Sequence, residues 1–329
     1  MSLDPAVAAV RLAVRRCLAD VGDRPLLVAC SGGADSLALL AATVAEARRR
    51  PRRVVGVTVD HGLQQGSEAR AAAVVAQMAG LGTDETVSVT VEVTASGQGP
   101  EAAAREARYA VLAEVAQRWG AEVVLLGHTL DDQAETVLLG LARGSGARAL
   151  AGMRRDFEVY RRPLLQVTRA RTRAACRAEG IGFWDDPHNR DLRYTRARVR
   201  QRVLPVLEEE LGPGVAAALA RTADLLREDT GALDEIARTV HTQAVRDDGL
   251  DAEVLAVQHL AVLHRVLREA ALAAGAPAAE LFRVHVLALA TLVCQPASVV
   301  GSRQIQLPGR LTAHRDGNRL RFRRTAVSG

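Results

Sequence analysis

Six consecutive residues have the composition of a phosphate-binding turn: Ser31, Gly32, Gly33, Ala34, Asp35 and Ser36. They follow the apolar run 26–30 and precede an apolar helical pattern, so they are expected to join a buried strand to a helix. Two adjacent glycines let the backbone turn tightly and approach a ligand. The serine hydroxyls and the free N–H groups of the helix start suit an anion, most often phosphate. The alternative is an ordinary turn with Asp35 or Ser36 as the helix N-cap.

A second cluster combines acidic residues with a histidine after another apolar run, 122–126. Its members are His128, Asp131, Asp132 and Glu135. Spacings of three and four residues place these carboxylates on one face of a starting helix. Acids so close together raise one another's pKa and need a cation, either Mg²⁺ or the ammonium group of a substrate. Capping and the helix dipole favour one acid in a first turn, but they do not explain three acids with a histidine.

Two smaller features could also contact a ligand. Asp60 and His61 follow the apolar run 54–59, at the end of a strand, where open parallel sheets bind ligands. We expect both to contribute to nucleotide binding, although His61 could instead cap a neighbouring carbonyl group. In the helical segment 101–118, Arg105 and Arg108 share one face, either as part of a surface ion pair or directed at phosphate or an acidic substrate.

The elements that position these residues alternate along the chain. Strand patterns near 25–30, 54–59, 86–93 and 122–126 are separated by helical patterns. Such alternation predicts an α/β fold with a parallel sheet and right-handed crossovers. The phosphate-binding turn, the Asp60 turn and the acidic cluster then all lie at the carboxyl edge of one sheet.

The charge distribution indicates a polyanionic partner. The net charge is +5, but residues 143–202 contain sixteen arginines and only six acids, and the tail after residue 301 contains seven arginines and one acid. Phe183, Trp184 and Tyr194 are interleaved with arginines, as base stacking combined with phosphate contacts would require. The alternatives are a solvated arginine-rich surface and core packing of Trp184.

Composition excludes several classes of protein. All 43 basic residues are arginine, which excludes a Schiff-base lysine and the lysine-containing phosphate loop of many nucleotide-binding proteins. The four cysteines are far apart, as expected for reduced thiols of a cytoplasmic protein. No signal peptide or apolar membrane span is recognisable, so no membrane partner is expected. The length predicts more than one domain: a catalytic domain at 1–210, a helical domain at 211–300 and a basic β-hairpin tail at 301–329.

Seven motifs occur in order between residues 28 and 205: SGGADS, DHGL, ExxARxxRY, GHxxDDQxET, RGSG, RPLL and DDPxNxDxxY. Together they resemble the tRNA(Ile)-lysidine synthetase (synthase) family of the PP-loop ATP-pyrophosphatase superfamily. All fixed positions of its SGGxDS loop are present. The remainder of the chain resembles the family's tRNA-binding portion only loosely. One position departs from the family pattern, because Ala197 stands where an asparagine is usual.

The resemblance implies a Rossmann-like PP-loop ATPase domain followed by a smaller, mainly helical domain that binds tRNA, and it is compatible with a homodimer. It also implies ATP and Mg²⁺ as cofactors, with free L-lysine and isoleucine tRNA carrying a CAU anticodon as substrates. ATP would adenylate the C2 oxygen of the wobble cytidine with release of pyrophosphate. The ε-amine of lysine would then attack C2 and release AMP, giving lysidine and changing codon reading from AUG to AUA.

The resemblance also implies roles for single residues. The segment 31–36 would hold the ATP phosphates, with Asp35 helping to bind magnesium, and His128 would lie near the reacting phosphate or the cytidine. Asp132 and Glu135 would bind the lysine amine, with Asp132 as the base. Arg108 and Arg200 would contact the substrate carboxylate, the cytidine or a phosphate; Trp184 and Tyr194 would support a base that has left its stack.

Three other functions use some of the same features. A tRNA thiolase of the same superfamily would need paired or catalytic cysteines, but the chain has no C-x-x-C pair. An enzyme that amidates a small molecule would need a glutaminase domain or an ammonia channel, and no such domain is recognisable. A tRNA-binding module with an inactive loop would have no use for the acidic cluster.

Overall fold

The structure, a computed structural model, describes residues 3–60, 66–91, 100–144, 146–187, 191–295 and 304–325. It divides into two compact units, Met1–Leu226 and Arg227–Gly329. Within the described ranges, no helix combines the length and the apolar character needed to cross a bilayer.

The first unit alternates strands and helices over most of its length. Its elements are α1 (Pro5–Cys17), β1 (Leu26–Ala29), α2 (Ala34–Ala47), β2 (Val54–Asp60), α3 (Ser67–Gly80), β3 (Glu85–Thr90), α4 (Pro100–Arg118), β4 (Val123–Leu125), α5 (Leu130–Ala142), α6 (Ala147–Leu150), β5 (Asp156–Phe157), β6 (Tyr160–Arg161), α7 (Arg169–Ala178), α8 (Thr195–Arg198), a π-helical turn (Val199–Val203) and α9 (Leu204–Glu210). The helix α10 (Val215–Ala244) includes the division between the two units.

Six strands form one sheet in the order β3-β2-β1-β4-β6-β5. All neighbouring pairs are parallel except β5 and β6, which are antiparallel. The predicted α/β fold with a parallel sheet is therefore confirmed, whereas the two-residue strands β5 and β6 were not predicted. The strand order reverses between β1 and β4, so the crevice beyond the carboxyl ends of these two strands is the expected ligand site.

Both faces of this sheet are covered. Leu26 and Val28 pack in a core that includes residues of α1, α2 and α7. Leu27 points to the opposite face, because side chains alternate along a strand, and it packs in a core with Leu112 of α4 and Tyr160 of β6. Burial on both faces explains why β1 reads as a continuous apolar run.

The second unit contains the C-terminal part of α10, β7 (Val245–Arg246), β8 (Gly249–Asp251), α11 (Ala252–Ala256), α12 (Leu260–Ala273), α13 (Arg283–Cys294), β9 (Gln304–Leu307), β10 (Leu311–Asp316) and β11 (Arg319–Arg324). Its strands form an antiparallel sheet in the order β7-β8-β11-β10-β9. Helices and strands share one core, which includes Ala237, Leu263, Leu289, Ala313 and Leu320.

These units differ from the division expected from the sequence. The hairpin within 301–329 forms as β10 and β11, but it belongs to a larger sheet and shares its core with the helices of 211–300. The compact units separate after Leu226, inside α10, and not after residue 210. The composition change at Gly212 and Pro213 marks the start of a long helix and not the end of a compact unit.

Candidate active site

The segment 31–36 forms a tight turn at the carboxyl end of β1. Gly32 has a φ of +79°, which favours glycine, and a Cβ there would lie 2.6 Å from the Val74 side chain. Ser36 Oγ donates to the Gly33 carbonyl at 2.9 Å and accepts from the Ser31 N–H at 3.1 Å. The N-cap of α2 is Gly33, not Asp35 or Ser36, and no side chain caps this helix. Its first N–H groups therefore suit a phosphate.

Two other segments pack against this turn. Gly127, after β4, lies so close that a Cβ would be 3.1 Å from the Ser36 backbone nitrogen. The Trp184 N–H donates to the Gly32 carbonyl at 3.0 Å, and the Arg70 guanidinium lies 3.8 Å from the centroid of the Trp184 ring. Trp184 thus supports the turn through its backbone, and its ring is stacked with an arginine.

The guanidinium group of one arginine lies within 4 Å of four carboxylates at the carboxyl edge of the sheet. Arg169, the first residue of α7, has nitrogen atoms 2.8 Å from Asp132, 3.4 Å from Glu135, 3.6 Å from Asp35 and 3.9 Å from Asp131. Asp131 also accepts from the Arg169 backbone N–H at 2.7 Å. The first turns of α2, α5 and α7 therefore converge on one point.

Two more arginines complete this acidic cluster. Arg196 Nε lies 2.8 Å from Glu135. Arg200 Nε lies 2.7 Å from Glu135, and Arg200 Nη2 lies 3.2 Å from Asp132. The Glu135 side chain is fully buried, and both of its oxygens are bonded to guanidinium nitrogens. The geometry therefore favours an indirect role for Glu135, which orders the arginines.

Asp132 is held in its ionised form. Burial alone would raise its pKa, but Arg169, Arg196 and the Thr129 backbone N–H together lower the pKa to about 2. Asp132 Oδ2 accepts from the Thr129 N–H at 2.8 Å and from its hydroxyl at 2.9 Å, which forms a capping box at the start of α5. A carboxyl with so low a pKa is a poor proton acceptor, so the geometry favours a binding role over a base.

The acids were expected to raise one another's pKa and to depend on Mg²⁺ or an ammonium group. For Asp132 the pKa changes in the opposite direction despite its burial, because Arg169 and Arg196 supply positive charge. The sequence pattern does not place Arg169 and Arg196 at the site, because both lie more than 30 residues after the acids along the chain. Among the described residues, four carboxylates (Asp35, Asp131, Asp132 and Glu135) lie beside three guanidinium groups (Arg169, Arg196 and Arg200). The excess negative charge favours the binding of a further cation.

Asp35 belongs to the phosphate-binding turn, and through its contact with Arg169 it joins this turn to the acidic cluster. Burial raises its pKa to about 6, against the lowering effects of the Thr172 hydroxyl, which donates to it, and of Arg169. In the part of the chain that the structure describes, no group of three or more His, Cys, Asp or Glu side chains is arranged around a metal position. Asp35 fits the type of Mg²⁺ site in which one carboxylate acts together with ATP phosphates.

His128 lies half-buried just after β4. Its Nδ1 accepts a hydrogen bond from Arg162 Nε at 3.2 Å. Burial lowers its pKa to about 3; the charges of Arg162, Arg105 and Arg196 act in the same direction, and Asp132 opposes them. The ring is therefore neutral near pH 7.

The remaining predicted residues lie at varied distances from this cluster. Arg108 is exposed on α4, and Asp60 is half-buried at the carboxyl end of β2. His61 lies outside the described residues. Tyr194 is 37 % exposed at the start of α8, whereas Ala197, at the position where the family has asparagine, is buried.

Comparisons with known proteins show which proteins this chain is similar to. Residues 8–207 match the family model described as a PP-loop domain. The chain is similar to the tRNA(Ile)-lysidine synthases of Streptomyces coelicolor (49 % identity; 98 % of this chain and 99 % of that one), Thermobifida fusca (53 %; 93 % and 94 %) and Salinispora arenicola (53 %; 97 % and 97 %). Among solved structures, the U34-tRNA thiolase NcsA from Methanococcus maripaludis with its [4Fe-4S] cluster has a TM-score of 0.58 at 16 % identity, over 68 % of this chain and 80 % of that chain. That likeness shows the fold alone.

Proposed function

Because this chain belongs to the tRNA(Ile)-lysidine synthase family, we propose that it uses ATP to join free L-lysine to C2 of the wobble cytidine in isoleucine tRNA with a CAU anticodon. The observation that carries this proposal is the pairing of two sites at the carboxyl ends of β1 and β4. One is a helix N-terminus without a side-chain cap, and the other is a cluster of four carboxylates with three guanidiniums. The first suits triphosphate, and the second accepts one more cation.

In the first step, the cytidine C2 oxygen attacks the α-phosphate of ATP and pyrophosphate leaves. The turn 31–36 and the start of α2 would hold the phosphates, with Asp60 at the neighbouring strand end. Asp35 would hold Mg²⁺, which neutralises phosphate charge when bound. His128 would donate a hydrogen bond to an oxygen that gains charge, at the reacting phosphate or at the cytidine.

In the second step, the ε-amine of lysine attacks C2 and AMP leaves. Asp131 and Asp132 are the acids that we assign to the amine, since their side chains are 32 % and 13 % exposed while that of Glu135 is fully buried. Arg200 approaches this cluster from the π-helical turn and would contact the lysine carboxylate or the adenylated cytidine, and Arg108 would contact phosphate.

The tRNA would bind along the arginine-rich segment 143–202, with Tyr194 available to a base, and along the basic strands of the second unit. We place the reaction in the cytoplasm, where tRNA and free lysine are present. A homodimer stays a prediction, which sedimentation of the purified chain would test.

The thiolase alternative is disfavoured by the state of the cysteines near the site. Cys30 and Cys176 are buried, and burial raises the pKa of both thiols, that of Cys176 to about 12. Catalytic cysteines need an accessible thiolate, so neither thiol suits sulfur transfer.

The test is incubation of the protein with isoleucine tRNA transcript, ATP, Mg²⁺ and labelled lysine. We expect label in the tRNA that depends on ATP, with AMP and pyrophosphate released. A transcript with GAU in place of CAU is the matched control and should take no label. Absence of lysine incorporation, or sulfur incorporation when a sulfide donor replaces lysine, would overturn the proposal.

A further inference from the structure

We propose that Arg162 is a positioning residue that fixes the tautomer of His128, so that the ring presents Nε2–H as a hydrogen-bond donor to the substrate. The tautomer follows from the geometry of the chain itself. Only the identity of the oxygen that receives the hydrogen bond rests on the proposed function.

The contact between the two side chains sets the direction of the hydrogen bond. Arg162 Nε lies 3.2 Å from His128 Nδ1, and a guanidinium group has donors but no acceptor. Nδ1 must therefore be the acceptor, and a neutral imidazole then carries its single proton on Nε2. Burial and the surrounding arginines, which lower the pKa of His128 to about 3, keep the ring in this neutral form.

Arg162 is itself held in place, so that its Nε–H stays directed at His128 Nδ1. The residue is only 6 % exposed. Its Nη1 donates to the Arg154 carbonyl, and its Nη2 donates to the Tyr109 hydroxyl at 3.1 Å. The guanidinium also lies 4.3 Å from the centroid of the Phe157 ring. A side chain bound at three points cannot turn away from His128 without losing these contacts.

The aromatic residues form the base of this arrangement. Tyr109, Phe157 and Tyr160 pack with ring centroids 4.9 to 5.8 Å apart, and the Tyr160 hydroxyl donates to the Tyr109 carbonyl at 2.5 Å. Helix α4 and the short strands β5 and β6 thereby support the histidine on β4's carboxyl side. Arg162 of the RPLL motif and the strands β5 and β6 thus have a role in holding His128.

The opposite ring nitrogen is free to bind a ligand. His128 is half-buried, and within the described ranges its Nε2 has no hydrogen-bond partner. A neutral donor stabilises an oxygen that becomes negative and does not compete for the proton of an incoming amine. The chemical class of the ligand is thus a pyrimidine carbonyl oxygen or a phosphoryl oxygen.

The direct test is ¹⁵N–¹H correlation spectroscopy of the chain with ¹⁵N-labelled histidine rings, without substrates. The variant His128→Gln identifies the signal of this ring among eight histidines. We expect a single Nε2–H tautomer in the wild-type protein near pH 7. A wild-type ring with its proton on Nδ1, or a doubly protonated ring, would overturn the inference.

Four variants test the role of Arg162. We expect Arg162→Met to give a mixture of tautomers and Arg162→Lys to keep Nε2–H, because an ammonium group also donates. Arg161→Met is the matched control, since Arg161 pairs with Asp20 instead. If Arg162→Met does not fold, Tyr109→Phe removes one support of Arg162 and should broaden the tautomer equilibrium. If folded Arg162→Met still shows a single Nε2–H tautomer, the tautomer has another cause, and the positioning role of Arg162 is overturned.

Activity gives a second readout. We expect Arg162→Met to lower kcat for lysidine formation by about 100-fold or more, because a ring of the wrong tautomer presents an acceptor in place of a donor. The KM for lysine should stay within about twofold, and Arg162→Lys should restore part of kcat. If the protein forms no lysidine but shows the expected spectra, the proposed function fails and the tautomer assignment stands.

Discussion

Gly127 lies so close to the first turn of α2 that a Cβ on it would be 3.1 Å from the Ser36 backbone nitrogen. The neighbour is backbone, which cannot move aside as a flexible side chain can. We therefore expect Gly127→Ala to displace the phosphate-binding turn and to weaken ATP binding by about tenfold or more, equivalent to ~1.4 kcal/mol. Gly182→Ala is the matched control, since a Cβ there meets no atom within 4 Å. Calorimetric titration with ATP and Mg²⁺ measures both, and equal affinities would contradict the prediction.

The acidic cluster makes a prediction about Asp132 that separates chemistry from tRNA binding. Asp132→Asn keeps the shape of the side chain but removes a negative charge facing Arg169 and Arg196. We expect lysidine formation to fall by about 100-fold or more while affinity for tRNA changes by less than about threefold. A gel-shift assay measures the affinity for tRNA, and incorporation of labelled lysine measures lysidine formation.

The same substitution also weakens the capping box of α5, so this effect needs its own control. Thr129→Val removes the 2.9 Å hydrogen bond between the Thr129 hydroxyl and Asp132 but leaves the carboxylate in place. It should cost about 1 kcal/mol of stability and leave most of the activity. Loss of tRNA binding in Asp132→Asn would instead make this acid a structural residue.

Much of this arrangement could be predicted from the sequence, because it depends on local patterns. The turn 31–36, the parallel strands and the position of His128 at a strand end all follow from apolar periodicity and the residues that interrupt it. The contacts of Arg169 and Arg196 could not be predicted in this way. They join residues more than 30 positions apart, and only the packing of α7 and α8 beside α5 decides which arginine meets which acid.

The burial of His128 predicts a pH dependence of stability. The pKa of the folded form, about 3, lies below the ordinary value of 6.5 that applies to the unfolded chain. Between these values the unfolded chain binds the extra proton, so the contribution of His128 to stability is lost as the pH falls below about 6.5. From pH 7 to pH 5 the free energy of unfolding should fall by about 2 kcal/mol more in the wild-type protein than in His128→Gln.

Urea unfolding at the two pH values measures this difference. His241→Gln is the control, since it replaces a histidine of α10 in the second compact unit. A parallel pH dependence of the wild-type protein and His128→Gln would show that the ring titrates normally in the folded state.

In the second unit, a buried arginine of β10 donates hydrogen bonds to carbonyl groups at the C-terminal end of α13. Arg315 is 5 % exposed, and its Nη1 donates to the carbonyls of Val293 and Gln295, both at 2.6 Å, at the end of α13. Arg315→Met would leave these carbonyls without their donor, which costs about 2 kcal/mol or more. We expect faster amide hydrogen exchange in α13 and β10 and unchanged exchange in β1.

The exposed Arg323 on β11 provides the matched control for this substitution. Arg323→Met removes a contact with Gln304 at the surface and should change stability by less than about 0.5 kcal/mol. Equal losses in the two variants would mean that Arg315 contributes no more than a surface arginine does.

The sequence contains no lysine, which makes this chain suited to zero-length cross-linking. Carbodiimides couple carboxylates to amines and leave guanidinium groups unreacted. Asp35, Asp131 and Asp132 face guanidinium groups and have no side-chain amine of the chain to react with. Besides the α-amino group at the chain terminus, the amines of bound lysine are then the reagent's targets. The acid that carries the resulting amide, identified by mass spectrometry of the peptides that contain these three residues, shows where the amino-acid substrate binds.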